Sequence, residues 1–139
     1  MLNQHTTSAF VLTCIDFRFH EKIVEELKKQ GITSFDLKCD AGGVKYLVSD
    51  EKPAVRDWIL ENIRIAKDLH HIKMIVLINH YDCGAYGGSS AFDSEEVQIS
   101  FQKNQLSAAR TLLSSRFPDL EIKTFFAKPV GEKLELLVV

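Results

Sequence analysis

The run Ile72-Lys73-Met74-Ile75-Val76-Leu77-Ile78-Asn79, followed at once by His80-Tyr81-Asp82-Cys83-Gly84, decides the fold. Its length and its β-branched, almost continuously apolar content suit a strand buried on both faces of a parallel sheet better than a helix. His80 and Cys83 therefore stand just past a strand end. Imidazole and thiolate are the side chains zinc prefers, and a His-x-x-Cys spacing lets one short turn present both to a single ion. Two ligands do not complete a site. The best further donor is Cys14, which closes a second apolar run, Ala9-Phe10-Val11-Leu12-Thr13. If the two strands are neighbours in one parallel sheet, Cys14, His80 and Cys83 meet at its carboxyl edge, where open α/β sheets bind their ligands.

Working outward from that stretch, residues 9–15 give the first strand, and Cys14-Ile15-Asp16-Phe17-Arg18 leaves it as a loop. Between Phe19 and Gln30, Ile23, Val24 and Leu27 recur at helical spacing among Glu and Lys, and Gly31 supplies a stop. Residues 33–39 form a second strand, and Asp40-Ala41-Gly42-Gly43 after it permits a tight turn or a close backbone approach. Pro53 fits the first turn of a longer helix ending near Leu69, with Trp58, Ile59, Ile63, Ala66 and Leu69 expected on its buried face. Beyond the flexible Gly87-Gly88-Ser89-Ser90, a helix from about Glu95 to Arg116 ends before Pro118. Two strands, Glu121 to Val130 and Lys133 to Val139, are joined too tightly for a crossover and must pair antiparallel. The sum predicts one three-layer α/β domain over residues 1–139. Its central sheet, about five strands, is mostly parallel with an antiparallel C-terminal edge strand and helices on both faces.

The 139 residues are 45% hydrophobic and 26% charged with a formal net charge of -2, a composition that can build a core without disulfides. No basic cluster points to nucleic acid or an anionic membrane. No apolar segment approaches the roughly 20 residues needed to span a bilayer. The N-terminus lacks the features of a secretory signal, so a cytoplasmic location is expected. Three cysteines without a Cys-x-x-Cys pair read, in a reducing compartment, as ligands or buried thiols.

Three protein ligands leave one tetrahedral position for solvent or substrate. Asp16, two residues after Cys14, can accept a hydrogen bond from a molecule there or become the fourth ligand. The Arg18 guanidinium can hold that carboxylate in a bidentate pair. Zinc brings the pKa of bound water to about 7 in favourable sites, which makes hydroxide available for attack on a small electrophile. Plainer readings stand beside these: two buried thiols with a hydrogen-bonded histidine, a surface ion pair, and a turn that merely needs glycine.

Cys14-x-Asp16-x-Arg18, Ala41-Gly42 after the second strand, and His80-x-x-Cys83-Gly84 after the third resemble the motif set of the β-class carbonic anhydrases, in that family's order. The resemblance covers about Val11 to Gly88. It implies zinc ligation by Cys14, His80 and Cys83, with Asp16 and Arg18 as the catalytic dyad. It further implies reversible hydration of carbon dioxide to bicarbonate in a homodimer or higher oligomer. Ala41, Gly42, Gly43, Gly84 and Phe17 would then lie around the substrate. Phe17 stands where the family usually has Ser or Ala, and Cys39-Asp40 where it usually has Arg-Asn.

The same ligands would serve a hydrolase of carbon disulfide or carbonyl sulfide, or a zinc-stabilised module without turnover. A cysteine nucleophile assisted by His80 lacks an identifiable group to orient the histidine. Cys39 reads as a buried thiol or a further ligand. His5, His20, His70 and His71 are candidate proton carriers. Tyr46, Tyr81 and Tyr86 are pocket or packing residues, and the apolar end Leu134 to Val139 is expected to be covered.

Overall fold

The computed structural model describes residues 2–139. Its strands are β1 (Ala9–Thr13), β2 (Phe35–Cys39), β3 (Met74–His80), β4 (Glu121–Val130) and β5 (Lys133–Val138). Its helices are α1 (His20–Lys29), α2 (Lys45–Val48), α3 (Pro53–His70) and α4 (Glu95–Arg116). Single 3₁₀ turns at Gly84–Tyr86 and Ser89–Ala91 follow β3.

The sheet order is β2-β1-β3-β4-β5, with β1 to β4 parallel and β5 antiparallel to β4. After β1 the chain moves outward to β2, then crosses back over β1 to form β3. The winding direction thus reverses between β1 and β3, which opens a crevice at their carboxyl ends. The register pairs Leu12 with Leu77, so Cys14 leaves β1 close to the place where His80 ends β3.

Alternation along the buried strands sends side chains into two cores. Phe10, Leu12, Ile75 and Leu77 pack with Ile59, Ile63 and Ala66 of α3 and with Leu106, Ala109 and Leu113 of α4. Ala9, Val11, Val76 and Ile78 pack with Ile23 and Leu27 of α1 and with Leu134 and Leu136 of β5. Fully burying each large aliphatic side chain contributes about 1.5–3 kcal/mol, so both faces anchor the central strands. The apolar end expected to be covered is covered in part: α1 packs on Leu134 and Leu136 on this second face, whereas Val138 at the end of the edge strand is 80% exposed.

One expectation fails in detail, and one element had no counterpart in the sequence analysis. Trp58 and Leu69 do not lie on the buried face of α3; they are 57% and 64% exposed, because the contact stripe is the narrower Ile59–Ile63–Ala66 line. The single-turn helix α2 was not foreseen, since four residues are too few to show a periodicity.

Candidate metal centre

The sheet brings together the three residues singled out as ligands. Cys14, His80 and Cys83 are buried, and their ligand atoms all lie within 4.8 Å of one another. Cys14 Sγ and Cys83 Sγ are 3.8 Å apart. Two sulfurs bound at about 2.3 Å to one tetrahedral zinc would be about 3.8 Å apart, so the spacing fits that ion. The His80 Nδ1–H donates to the Tyr81 carbonyl at 2.8 Å, which fixes the tautomer and leaves Nε2 as the free lone pair. Nε2 is buried and has no hydrogen-bond partner. A buried acceptor without a partner is costly, and a cation held with the two sulfurs would satisfy it. Donor chemistry, spacing and the orphaned nitrogen therefore all fit a thiophilic dication.

The sulfurs act as a pair. The Cys83 thiol donates to Cys14 and holds the Cys14 sulfur toward thiolate, well below the usual thiol range, while that shared proton and burial push Cys83 up. A dication ligated by both would take the place of that proton. The Gly42 N–H also points at Cys14 Sγ, at 3.4 Å. Gly42 has φ +83, and a Cβ there would meet Lys45 Cβ at 2.8 Å. His20 Nε2–H donates to the Cys14 carbonyl at 3.2 Å, which gives that histidine a place in holding the ligand loop. Phe19 packs on the His80 ring at 4.3 Å between centroids.

Asp16 stands beside this cluster. Its Oδ2 is 3.8 Å from His80 Nε2 and accepts from Arg18 Nη2 at 2.6 Å, while Arg18 Nε donates to Oδ1 at 3.0 Å. These bonds lower the Asp16 carboxyl to about 2 despite some desolvation, so it is ionised throughout the neutral range. Arg18 also reaches Asp82, through Nη1 to Oδ2 at 3.1 Å.

The cluster opens into a cleft of about 750 Å³ lined by Cys14, Ile15, Asp16, Ala41, Gly84 and Ala85 among others. Phe17 also borders it but is 87% exposed, so its ring lies at the rim. Of the residues expected around a substrate, Ala41, Gly84 and Phe17 line the cleft; Gly42 and Gly43 lie behind it. Gly43 has φ +61 and presses on β3, where a Cβ would come within 2.4 Å of Asn79 Oδ1. Cys39 is not in the ligand cluster, and burial raises its thiol. It lines a different cavity with Asp36 and His70, whose Nδ1 and carboxylate pair at 2.8 Å. Tyr86 is held by Asn79, and burial pushes its hydroxyl up.

A polar layer behind the site escaped the sequence analysis. Asn79 accepts from the Val44 N–H at 3.1 Å and donates to Gln102 Oε1 at 2.6 Å. Gln98 accepts from the Asp82 N–H at 3.2 Å and donates to Ser89 Oγ at 3.0 Å. A signal was present: Gln98 and Gln102 occupy the same helical stripe as Leu106, Ala109 and Leu113, so polar residues stand where α4 buries its face.

A family model described as "Putative carbonic anhydrase" matches residues 4–137. The chain belongs to that family. Uncharacterized proteins of Rickettsia conorii and Rickettsia bellii are 30% and 29% identical to it over 122 residues, or 85% of this chain. Those alignments span 66% and 74% of the relatives' own lengths, so the chain covers slightly less than two thirds of the first. Among solved structures, a tetrameric β-carbonic anhydrase from Sordaria macrospora matches at TM-score 0.66 and 16% identity, covering 98% of this chain and 83% of its own. The carbonic anhydrase of Streptococcus mutans matches at TM-score 0.62 and 17% identity, covering 96% of this chain and 83% of its own. At such identities the likeness is one of fold, and it places this family member on the β-carbonic anhydrase architecture.

Proposed function

We propose that the chain is a zinc-dependent carbonic anhydrase that interconverts carbon dioxide with bicarbonate and a proton. The observation that carries the reading is the unpartnered Nε2 of His80, buried with two sulfurs beside a cleft lined by Cys14 and an Arg18-held Asp16. Cys14, His80 and Cys83 would hold the metal, with Asp16 and Arg18 as the catalytic pair. Zinc, when bound, supplies the Lewis acidity that makes water a nucleophile near neutral pH.

The remaining chemistry falls to the protein. Asp16, kept ionised, offers Oδ2 as an acceptor beside the metal position and can orient a reacting O–H. Arg18 fixes the direction of that carboxylate with two N–H donors. Ile15, Ala41 and Ala85 give the cleft an apolar wall suited to a small molecule without hydrogen-bond donors. Ligand thiols of this kind persist in a reducing compartment, which supports a cytoplasmic location. Exposed Trp58, Leu69 and Leu37 support a homodimer or higher oligomer, and Sordaria macrospora relatives of this fold are tetrameric.

The test is elemental analysis joined to stopped-flow hydration on one purified sample. About one zinc per chain is expected, with turnover abolished in Cys83→Ser and strongly reduced in Asp16→Asn. Zinc without hydration between about pH 6 and 9 would refute the enzymatic reading. Turnover of carbon disulfide or carbonyl sulfide in place of carbon dioxide would redirect it.

A further inference from the structure

Arg18 is gripped from two sides. Nε and Nη2 serve Asp16, while Nη1 donates to Asp82 Oδ2 at 3.1 Å and Nη2 also to the Asp82 carbonyl at 3.1 Å. Asp82 lies inside the His80-x-x-Cys83 turn with φ +58, a left-handed conformation that Asp tolerates better than most residues. This backbone turns both its carboxylate and its carbonyl toward Arg18.

Asp82 is itself anchored. Its Oδ1 accepts from the Ser89 N–H at 2.8 Å, and its own N–H donates to Gln98 Oε1 at 3.2 Å. Gln98 is 2% exposed and closes the ring by donating to Ser89 Oγ. Gly88 permits the approach, since a Cβ there would sit 3.1 Å from Asp82 Oδ1.

Asp16 is also held locally, since the Arg18 backbone N–H donates to Oδ1 at 3.0 Å, but without this second anchor the guanidinium end of the pair is tied only to that one carboxylate. The Arg18 side chain is 44% exposed, and isolated pairs of that kind hold their geometry poorly because both side chains lose rotamer freedom. With it, a buried residue of α4 is tied through one turn to the guanidinium, and through that to the carboxylate at the cleft wall.

We propose that Asp82, braced by Ser89 and Gln98, is a positioning residue that fixes Arg18 and thereby holds Asp16 facing the cleft. The kinetic consequence rests on the hydration reading given above; the structural one does not.

The informative variant is Asp82→Asn. Asn also tolerates the left-handed backbone and keeps an oxygen for the Ser89 N–H, but loses the charged acceptor for Nη1. In nitrogen-15 spectra of the intact zinc-loaded chain, wild type should show an Arg18 Nε–H in slow exchange with water and separate Nη signals. In Asp82→Asn that exchange should quicken by about tenfold and the Nη signals merge, with zinc content unchanged. Hydration kcat/KM should fall by about tenfold in Asp82→Asn, and adding Asp82→Asn to Arg18→Lys should lower it no further than Arg18→Lys alone, since the residue acts through Arg18. Asp82→Gly, which suits φ +58, replaces the Asn variant should that one not fold.

Unchanged Arg18 signals in the variant, or independent losses in the double variant, would overturn the proposal while leaving carbonic anhydrase activity intact. If no form of the chain hydrates carbon dioxide, the function above fails, and the exchange measurement alone still decides the positioning.

Discussion

At the carboxyl edge of β1 and β3, polar side chains are buried: Asn79, His80, Gln98 and Gln102 are each no more than 2% exposed. On the outer flank of α3, apolar ones are in solvent: Trp58 is 57% exposed and Leu69 64%. Both departures cost stability, for different reasons. A buried polar group without a partner costs about 1–3 kcal/mol; at the carboxyl edge the Asn79, Gln98 and Gln102 amides have hydrogen bonds to the backbone or between β3 and α4, whereas Thr13 Oγ1 at the end of β1 has none. The one ring nitrogen left over, His80 Nε2, faces the sulfurs. On the flank, the loss is water-exposed apolar area, which another surface can remove. The edge leaves a buried lone pair beside two sulfurs, and the flank leaves apolar area in water.

The widest break between the two regions should come from the ligands themselves. Cys14→Ser should reduce bound zinc to background by elemental analysis and abolish hydration, while leaving the molecular mass in light scattering unchanged. Retained zinc at the wild-type level would separate the metal from this edge altogether.

Gly43→Ala strikes the packing behind the ligands. The left-handed backbone and the 2.4 Å approach to Asn79 Oδ1 predict a loss of about 3 kcal/mol in denaturant unfolding. A midpoint unchanged from wild type would mean that the turn relaxes freely. Removing the polar layer is milder: Asn79→Ala strands the Val44 N–H and Gln102 Oε1, and should cost about 2 kcal/mol.

The flank should respond least in chain stability and most in assembly. Trp58→Ser should shift unfolding by no more than about 0.5 kcal/mol, because the indole is mostly solvated already. Light scattering should show the variant dissociating toward monomer. A monomeric wild type would end the case for an apolar partner surface.

Much of the edge was legible in the residues alone. His80 and Cys83 follow the most apolar run of the chain, and parallel-strand logic suffices to place Cys14 beside them. Asp16 and Arg18 are two residues apart on a loop, so their pairing needed only local geometry. Asp82 was equally visible within the His80 turn, yet its link to Arg18 spans 64 positions and depends on a left-handed backbone that no spacing rule announces. Trp58 and Leu69 misled because a helical stripe says which residues share a side, not how wide the contact with the sheet will be.

By itself, the sequence determined the alternation of strands and helices, the antiparallel ending and which Cys and His side chains stand at the strand ends, because these follow from periodicity, short connections and side-chain chemistry. Only the tertiary structure decided which nitrogen of His80 is free, that Gln98 and Gln102 face the site, and that Arg18 is shared by two carboxylates. Those outcomes depend on angles and distances between segments far apart in the chain, fixed when both faces of the sheet are packed.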